Sequence, residues 1–422
     1  MTQPVADILR PLVEAVLGPS PPVRIELWDD SALGDPDAAV SLRVRSPDAV
    51  RRLLWSPGEL GLARAYVMGD LDTDDELLEV IRTLGTLVPQ RPTVSRDILR
   101  HAARAVRELG LVARPPAPPP EEAAPKGRLH SRRRDARAVR HHYDVGNDLY
   151  RVLLGPSLTY SCARFTEPHL SLDDAQAAKH ELVCRKLGLD RAPGMRLLDV
   201  GCGWGSMALH AATVHRAQVV GVTLSRPQAD LARKRVAEAG VADRVEIRVQ
   251  DYRDVDDGPF DAVSSIGMFE HVGAERIAEY FHRLRALLVP PGRLLNHAIS
   301  SVGGSRVGGR SFMGRYVFPD ADLIDVGEVV LAMEAAGFEV RDVESLREHY
   351  ALTLRRWEAN LRRNWDEAVE LVGVRRARVW RLYLVGSIVG FEDGGISIHQ
   401  VLGVAPGPDG ASAMPATRAS WG

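Results

Sequence analysis

Cysteine is scarce in this sequence. Its 422 residues include three cysteines, Cys162, Cys184 and Cys202, an odd number without the close spacing of metal-binding motifs. This excludes a disulfide framework and argues against a zinc site. We therefore expect a protein of the reducing cytoplasm that binds no metal.

Long apolar runs and an excess of one charge are also missing. No apolar run approaches the ~20 residues that span a bilayer, and the N-terminus lacks the basic and apolar regions of a signal peptide. Lys and Arg number 54 against 56 Asp and Glu, a net charge of -2 that argues against a general nucleic-acid binder. Any membrane contact is therefore expected to be peripheral.

Composition divides the chain into four parts. Residues 1–113 mix a helix, two strand-like segments and a helix-rich remainder, as in a small α+β domain. Residues 114–139 are predicted to be a linker, which begins with stiff proline-rich sequence and ends in a basic run. Residues 140–403 form a larger domain, and the Pro-, Gly-, Ala- and Ser-rich tail 404–422 is expected to be disordered.

The larger domain contains a glycine-rich loop at residues 196–205, RLLDVGCGWG. The pattern predicts a buried strand, a tight turn and a following helix. Its G-x-G-x-G spacing differs from the G-x-G-x-x-G of dinucleotide folds, whose second strand ends in an acid. Here the second strand, QVVGVTLS, ends in Thr223 and Ser225. The loop therefore favours S-adenosylmethionine over NAD, although a plain turn would also fit.

Strands and helices alternate from Leu187 onward. This pattern predicts a doubly wound, mainly parallel α/β sheet. Ligands of such sheets bind beyond the carboxyl ends of the strands, beside the glycine loop. Functional residues are therefore expected directly after strands.

Four separated motifs follow one another along the chain. They are HYDVGNDLYRVLLGPSLTYSCARF, LLDVGCGWG with GVTLSRPQADLARKR, QDYRDV with IGMFEHVG, and NHAIS. Together they resemble the cyclopropane-fatty-acyl-phospholipid synthase family, S-adenosylmethionine-dependent enzymes that modify the double bond of acyl chains. The resemblance covers roughly residues 140 to 391. It implies a class I methyltransferase fold, Rossmann-like and doubly wound, with a smaller N-terminal α+β domain. We expect this smaller domain to contact lipid.

The resemblance also implies a set of cofactor-binding residues. Tyr160 and Ser161 would contact the methionine part of S-adenosylmethionine, Thr223 and Gln228 the ribose region, and Asp251 the adenine amino group. The full predicted set is Tyr160, Ser161, Asp199, Gly201, Gly203, Thr223, Ser225, Gln228, Asp251 and Tyr252. Taken singly, Thr223 and Ser225 would be equally typical of helix caps, and Asp251 of a turn.

The base in this family is a bound bicarbonate ion. The residues that hold it correspond here to Cys162, Glu270, His297, Ile299 (largely through its backbone) and Tyr350. Such an ion suits an apolar tunnel in which a carbocation forms and water would be destructive. Asn296 departs from the family pattern, because many relatives have leucine before the histidine.

The implied reaction is methyl or methylene transfer to the double bond of unsaturated phospholipid acyl chains, giving a cyclopropane. A hydride shift before proton loss would give a 10-methylene branch, as in some actinobacterial relatives. A small-molecule methyltransferase and a non-catalytic lipid-binding protein are further alternatives. The resemblance implies a homodimer on the inner face of the membrane and no nucleic-acid partner. The basic run from Lys126 to Arg140 is either a solvated face or a contact for anionic head groups.

Overall fold

The computed structural model describes residues 3–87, 95–111, 114–123, 134, 146–304, 311–319 and 321–421. They form two compact units, each with its own core. The first comprises residues 1–124, 310–317 and 365–389, and the second residues 125–309, 318–364 and 390–422. The division differs from the predicted one, because two segments from the C-terminal half group with the N-terminal region.

The first unit has the expected α+β composition. Four short strands in the order β2-β1-β3-β4 make its sheet: β1 Arg24–Glu26, β2 Ala32–Leu33, β3 Ser41–Val44 and β4 Leu71–Asp72. Its helices are Val5–Leu17, Pro47–Trp55, Glu59–Met68, Leu77–Leu87, Arg96–Glu108, the π-helix Met313–Val317, Trp365–Val372 and most of Val374–Glu392. Aliphatic side chains from the strands and the first helices form the core of this unit.

Residues 114–123 of the predicted linker belong to this first unit. The Glu122 side chain is 7% exposed and accepts two hydrogen bonds from the Arg64 guanidinium, at 2.8 and 2.7 Å. Glu121 pairs with Arg375 at 2.9 Å. Two glutamates that are held in this way make residues 121–123 part of a folded unit. The basic run lies outside the described residues apart from position 134.

The second unit is built on a seven-stranded sheet. Its strands are β5 Arg196–Val200, β6 Gln218–Thr223, β7 Val245–Val249, β8 Phe260–Ile266, β9 Leu288–Ser301, β10 Glu339–Ser345 and β11 Ile396–Val404. The order is β10-β11-β9-β8-β5-β6-β7, in which β9 to β7 are parallel and β11 is antiparallel to both of its neighbours. The predicted doubly wound, mainly parallel sheet is confirmed, and β11 is an addition that the sequence analysis did not assign.

Helices cover both faces of this sheet. They are Asn147–Leu154, Leu172–Leu187, Ser206–Val214, Arg226–Glu238, Ile277–Ala286, Val326–Ala335 and Arg347–Arg363. Leu197 and Leu198 of β5 belong to different core clusters, because successive strand residues point to opposite faces. In the described part of the chain, no helix is both long and apolar enough to cross a bilayer.

The tail does not follow the prediction of disorder. Residues 405–421 are described, and they end in a short 3-10 helix, Arg418–Trp421. Trp421 is buried in the core cluster of the second unit, and Arg418 pairs with Asp342 at 2.9 Å. A large indole gives this stretch enough apolar area to be anchored despite its Pro- and Gly-rich composition.

Candidate active site

A cavity lies at the carboxyl ends of β5, β6, β7 and β8. Its walls come from residues at or directly after these strands and from the segment around Tyr160. Nine of the ten predicted cofactor-binding residues line it, namely Tyr160, Ser161, Asp199, Gly201, Gly203, Thr223, Gln228, Asp251 and Tyr252. Residues from four distant parts of the chain therefore meet where a doubly wound sheet binds its ligands.

The glycine loop forms the floor of the cavity. Gly201 has φ +77°, and a Cβ added there would lie 2.8 Å from Cβ of Met268. A side chain at Gly201 would therefore be strained and would collide with the opposite wall. The next residues are fixed by Trp204, whose indole Nε1 donates to Asn147 at 2.8 Å. The loop keeps its backbone open to a ligand.

Thr223 and Gln228 form one side of the cavity, and Ser225 lies behind them. The Thr223 hydroxyl donates to the Gln228 side chain at 2.9 Å and accepts from the Ser225 amide at 3.2 Å. The Ser225 hydroxyl accepts from the Gln228 amide at 3.4 Å and caps the helix Arg226–Glu238. Ser225 is buried but does not line the cavity, so the structure places it as a cap.

Asp251 and Tyr252 follow β7. The Asp251 carboxylate accepts from Arg253 Nη2 at 2.6 Å and from Arg253 Nε at 2.8 Å. This pairing occupies most of the carboxylate that was predicted to face adenine. Burial raises the pKa of Tyr252 to about 12, so its phenol is neutral.

Lys179 and His180 line the cavity but were not predicted from the sequence. Both lie in the helix Leu172–Leu187, and Lys179 Nζ donates to the Ser161 hydroxyl at 2.9 Å. His180 Nε2 lies 3.3 Å from the Thr159 hydroxyl. The available signal was the position of Lys179 one turn after Ala175, on the apolar stripe of this helix, where a charged residue is exceptional.

Asp199 lies at the end of β5 beneath the glycine loop. Its Oδ1 accepts from the Ser264 hydroxyl at 2.8 Å, whereas its Oδ2 is buried without a hydrogen-bond partner. Burial raises the pKa of this carboxyl group to about 6. An unpartnered buried acceptor at a cavity wall fits a ligand that carries a donor, as the amino group of S-adenosylmethionine does.

None of the five predicted catalytic residues, Cys162, Glu270, His297, Ile299 and Tyr350, lines this cavity. Glu270 follows the wall residue Met268, and its Oε1 accepts from the Ile299 amide at 2.8 Å. Its Oε2 is buried and unpartnered, and burial raises the pKa of the carboxyl group to about 7. The Ile299 amide is thus engaged in positioning Glu270.

His297 lies on β9 opposite Gln400 of β11. The Gln400 side-chain amide lies 3.1 Å from Nδ1, and because an NH₂ group only donates, the other ring nitrogen carries the proton. That nitrogen, Nε2, is buried without a partner. Burial lowers the pKa of the imidazole well below its usual value, so His297 is a neutral hydrogen-bond donor.

Cys162 and Tyr350 lie in tightly packed surroundings. The Cys162 sulfur lies 3.2 Å from the Ala163 carbonyl, and burial raises the pKa of the thiol, so it is no nucleophile. The ring centroids of Tyr350 and Trp357 lie 5.9 Å apart, and those of Trp357 and Tyr160 lie 5.2 Å apart. Aromatic contacts therefore join Tyr350 to the cavity.

A group of potential metal ligands lies apart from these residues. Donor atoms of Cys184, His210 and His215 lie within 4.8 Å of one another. Nε2 of each histidine is hydrogen-bonded to the same Glu181 oxygen, at 3.1 and 2.9 Å. Nε2 of each imidazole is therefore already engaged by Glu181, and a hydrogen-bonded cluster accounts for the grouping of the two histidines.

Comparison with known proteins gives one consistent result. The family model described as mycolic acid cyclopropane synthetase matches residues 130–401. A probable fatty acid methyltransferase of Mycobacterium tuberculosis is 43% identical over 408 residues, which cover 93% of each chain. The cyclopropane-fatty-acyl-phospholipid synthase of Escherichia coli K12 is 33% identical over 367 residues, which cover 86% of this chain and 88% of that one.

A solved structure supports the same assignment. A crystal structure of a mycolic acid cyclopropane synthase complexed with SAH and CTAB matches with a TM-score of 0.60 and 34% identity. The match covers 64% of this chain and 98% of that chain. The homologues and structural neighbours are S-adenosylmethionine-dependent methyltransferases, which confirms the predicted enzyme class and the class I fold.

Proposed function

This chain belongs to the mycolic acid cyclopropane synthetase family, and on that premise we propose that it transfers a methylene carbon to the double bond of unsaturated phospholipid acyl chains, giving cyclopropane fatty acids. The observation that carries the proposal is the convergence of the predicted residues on one cavity. A small-molecule methyltransferase would share the glycine loop but would not need the buried pair of Glu270 and His297.

The cavity supplies the setting for the transfer. S-adenosylmethionine supplies, when bound, an electrophilic methyl group on a positively charged sulfur. The glycine loop would offer its backbone to this cofactor, Thr223 and Gln228 would contact the ribose region, and Tyr160 would contact the methionine part. The aromatic rings of Tyr160 and of the buried Trp357 would exclude water from the reacting carbons and favour a developing cation over their faces.

A small anionic base fits the predicted catalytic residues. Glu270 Oε2 is an unpartnered buried acceptor and His297 Nε2 an unpartnered buried donor. Bicarbonate has one hydroxyl to donate to the first and oxygens to accept from the second, so these residues fit it. Bound there, it would supply a general base where the chain's own carboxyl group is held by Ile299. Tyr350 and the Cys162 thiol would complete its surroundings.

We propose membrane phospholipid as the substrate and the inner membrane surface as the place of reaction. The basic run from Lys126 to Arg140 would attract anionic head groups, by about 1 kcal/mol for each residue near the surface. A homodimer would offer two such surfaces to one membrane.

The products of the reaction test this proposal. The purified protein is incubated with S-adenosylmethionine and vesicles of oleoyl phospholipid, and the fatty acids are examined by mass spectrometry with fragmentation. We expect a gain of one CH₂ with a fragment pattern of a ring. Cofactor binding without any gain in mass would contradict the proposed activity.

A 10-methylene product is the alternative outcome. The M. tuberculosis relative that shares 43% identity bears the name fatty acid methyltransferase, which specifies no ring. Both products require the same cofactor and the same base, and they differ in the carbon that loses the proton. Fragments that show a branching methylene would favour this alternative over the cyclopropane.

A further inference from the structure

Two lysines of the helix Leu172–Leu187 are almost completely buried, and they differ in what surrounds them. Lys186 is 1% exposed and contacts two carboxylates, Asp342 at 2.8 Å and Glu344. Lys179, two turns earlier, is 0% exposed and has no carboxylate oxygen within 4.0 Å among the described residues. Its hydrogen-bond partner is the neutral hydroxyl of Ser161, at 2.9 Å.

A buried ammonium group without a nearby anion is costly. Removing it from water disfavours the charged form, and burial lowers the pKa of Lys179 to about 7. Buried groups with strongly shifted pKa values cluster at functional sites, where a ligand can supply the missing charge. Lys179 lines the cavity, so an anion bound in the cavity can approach its ammonium group.

A second unsatisfied group of opposite polarity lies in the same cavity. Asp199 is 2% exposed, and its Oδ2 has no hydrogen-bond partner. Lys179 and Asp199 attract one another electrostatically, yet they form no ion pair within 4.0 Å. The cavity therefore presents one cation and one acceptor that are held apart, which is complementary to an amino acid zwitterion.

We propose that Lys179 binds the α-carboxylate of the methionine part of S-adenosylmethionine, while Asp199 faces its α-ammonium group. Ser161, which the sequence analysis places at the same part of the cofactor, holds the Lys179 ammonium in position. The assignment rests on the proposed function, because it requires this cofactor. Under this assignment, Lys179 favours binding of a cofactor that carries the α-carboxylate over one that lacks it.

Binding of two cofactors by the wild-type protein tests the assignment without any substitution. S-adenosylmethionine and its decarboxylated form, which lacks only the α-carboxylate, are titrated calorimetrically in the absence of lipid. We expect S-adenosylmethionine to bind about 10- to 100-fold more tightly, the range for a hydrogen bond to a charged group. Equal affinities would overturn the assignment while leaving the proposed function intact. Failure to bind S-adenosylmethionine at all would instead contradict the proposed function.

The substitution Lys179→Met separates recognition from a structural role. The substitution should weaken the binding of S-adenosylmethionine by about 10- to 100-fold. The decarboxylated cofactor should bind with unchanged or higher affinity, because the Lys179 charge that repels its positive groups is removed. Lys186→Met is the matched control on the same helix, and it should lower thermal stability without altering the ratio of the two affinities. Parallel losses for both cofactors in Lys179→Met would overturn the assignment.

Discussion

At the scale of single residues, Glu270 combines a functional role with a cost in stability. Its carboxyl group has a pKa of about 7 in the folded protein, against 4.5 when exposed, because burial disfavours the charge. A raised pKa means that the folded state holds a proton that the unfolded state releases between these values. The free energy of unfolding therefore falls as the pH rises from about 4.5 to 7, and the loss persists above pH 7.

We therefore predict that Glu270→Gln stabilises the protein at pH 8 and leaves its stability unchanged at pH 4, where both states are protonated. The gain is bounded by about 3.5 kcal/mol, at roughly 1.4 kcal/mol for each pKa unit. Product formation should fall by about 100-fold or more, since a neutral carboxamide is too weakly basic to take up the proton of a bound hydroxyl and accepts only a weaker hydrogen bond from it. Urea unfolding at both pH values and the mass-spectrometric assay measure the two effects.

The exposed Glu275 provides the control for this substitution. Glu275→Gln should change neither stability nor product formation, because its carboxyl group is already in water. A Glu270→Gln protein that is no more stable than the wild type at pH 8 would show that the carboxylate is well solvated, and full activity would remove Glu270 from the catalytic group.

A sequence motif indicates which residues belong to a site, but it does not indicate which of their atoms are left without a hydrogen-bond partner in the folded protein. The sequence predicted nine of the cavity-lining residues because they lie in motifs that resemble the family, and all but Tyr160 and Ser161 are at or close after a strand end. It did not predict Lys179, whose importance depends on the absence of a carboxylate nearby, a property of three-dimensional packing. In the same way, the free Nε2–H of His297 follows from Gln400 on β11, 103 residues away in sequence.

At the scale of elements, two roles for Ser225 predict different effects of its substitution: a helix cap affects stability, whereas a cofactor contact affects binding. Its hydroxyl caps the helix Arg226–Glu238 and does not line the cavity. We predict that Ser225→Ala lowers the free energy of unfolding by about 1 kcal/mol, the usual cost of a lost N-cap. The affinity for S-adenosylmethionine, measured by calorimetry, should change by less than about threefold.

Ser171→Ala is the matched control for this prediction. Ser171 caps the helix Leu172–Leu187 with the same geometry, accepting from the Asp174 amide at 3.1 Å, and it is exposed. Ser171→Ala should lower the free energy of unfolding by a similar amount and leave the affinity for S-adenosylmethionine unchanged. A large loss of affinity in Ser225→Ala alone would place Ser225 in the cofactor site, as the resemblance implied.

Elements with strong periodicity were predicted correctly, and the exceptions have physical reasons. β11, ISIHQVLGV, follows three helices, yet it pairs antiparallel with both β10 and β9. The alternation of strands and helices that is typical of parallel units therefore does not predict its place in the sheet.

At the scale of the whole molecule, the first unit is discontinuous in sequence. Tyr66 and Leu77 form an apolar cluster with Val385, and Arg378 of the same late helix pairs with Asp72 at 2.8 Å. Such contacts leave no trace in local composition, since they depend on segments about 300 residues apart. The predicted boundary at residue 113 followed the proline-rich stretch and therefore did not include the later segments.

This organisation predicts that residues 1–124 do not fold cooperatively alone. The fragment would expose Tyr66 and Leu77, which are buried in the unit, and would leave the Asp72 carboxylate without Arg378. Exposure of these apolar side chains lowers the free energy of unfolding by about 25 cal/mol for each Å² of apolar surface newly exposed, which is a large loss for so small a core. Urea unfolding followed by circular dichroism should show a broad transition at lower urea than in the intact protein. A sharp transition at the same urea concentration would mean that residues 310–317 and 365–389 are dispensable for this unit.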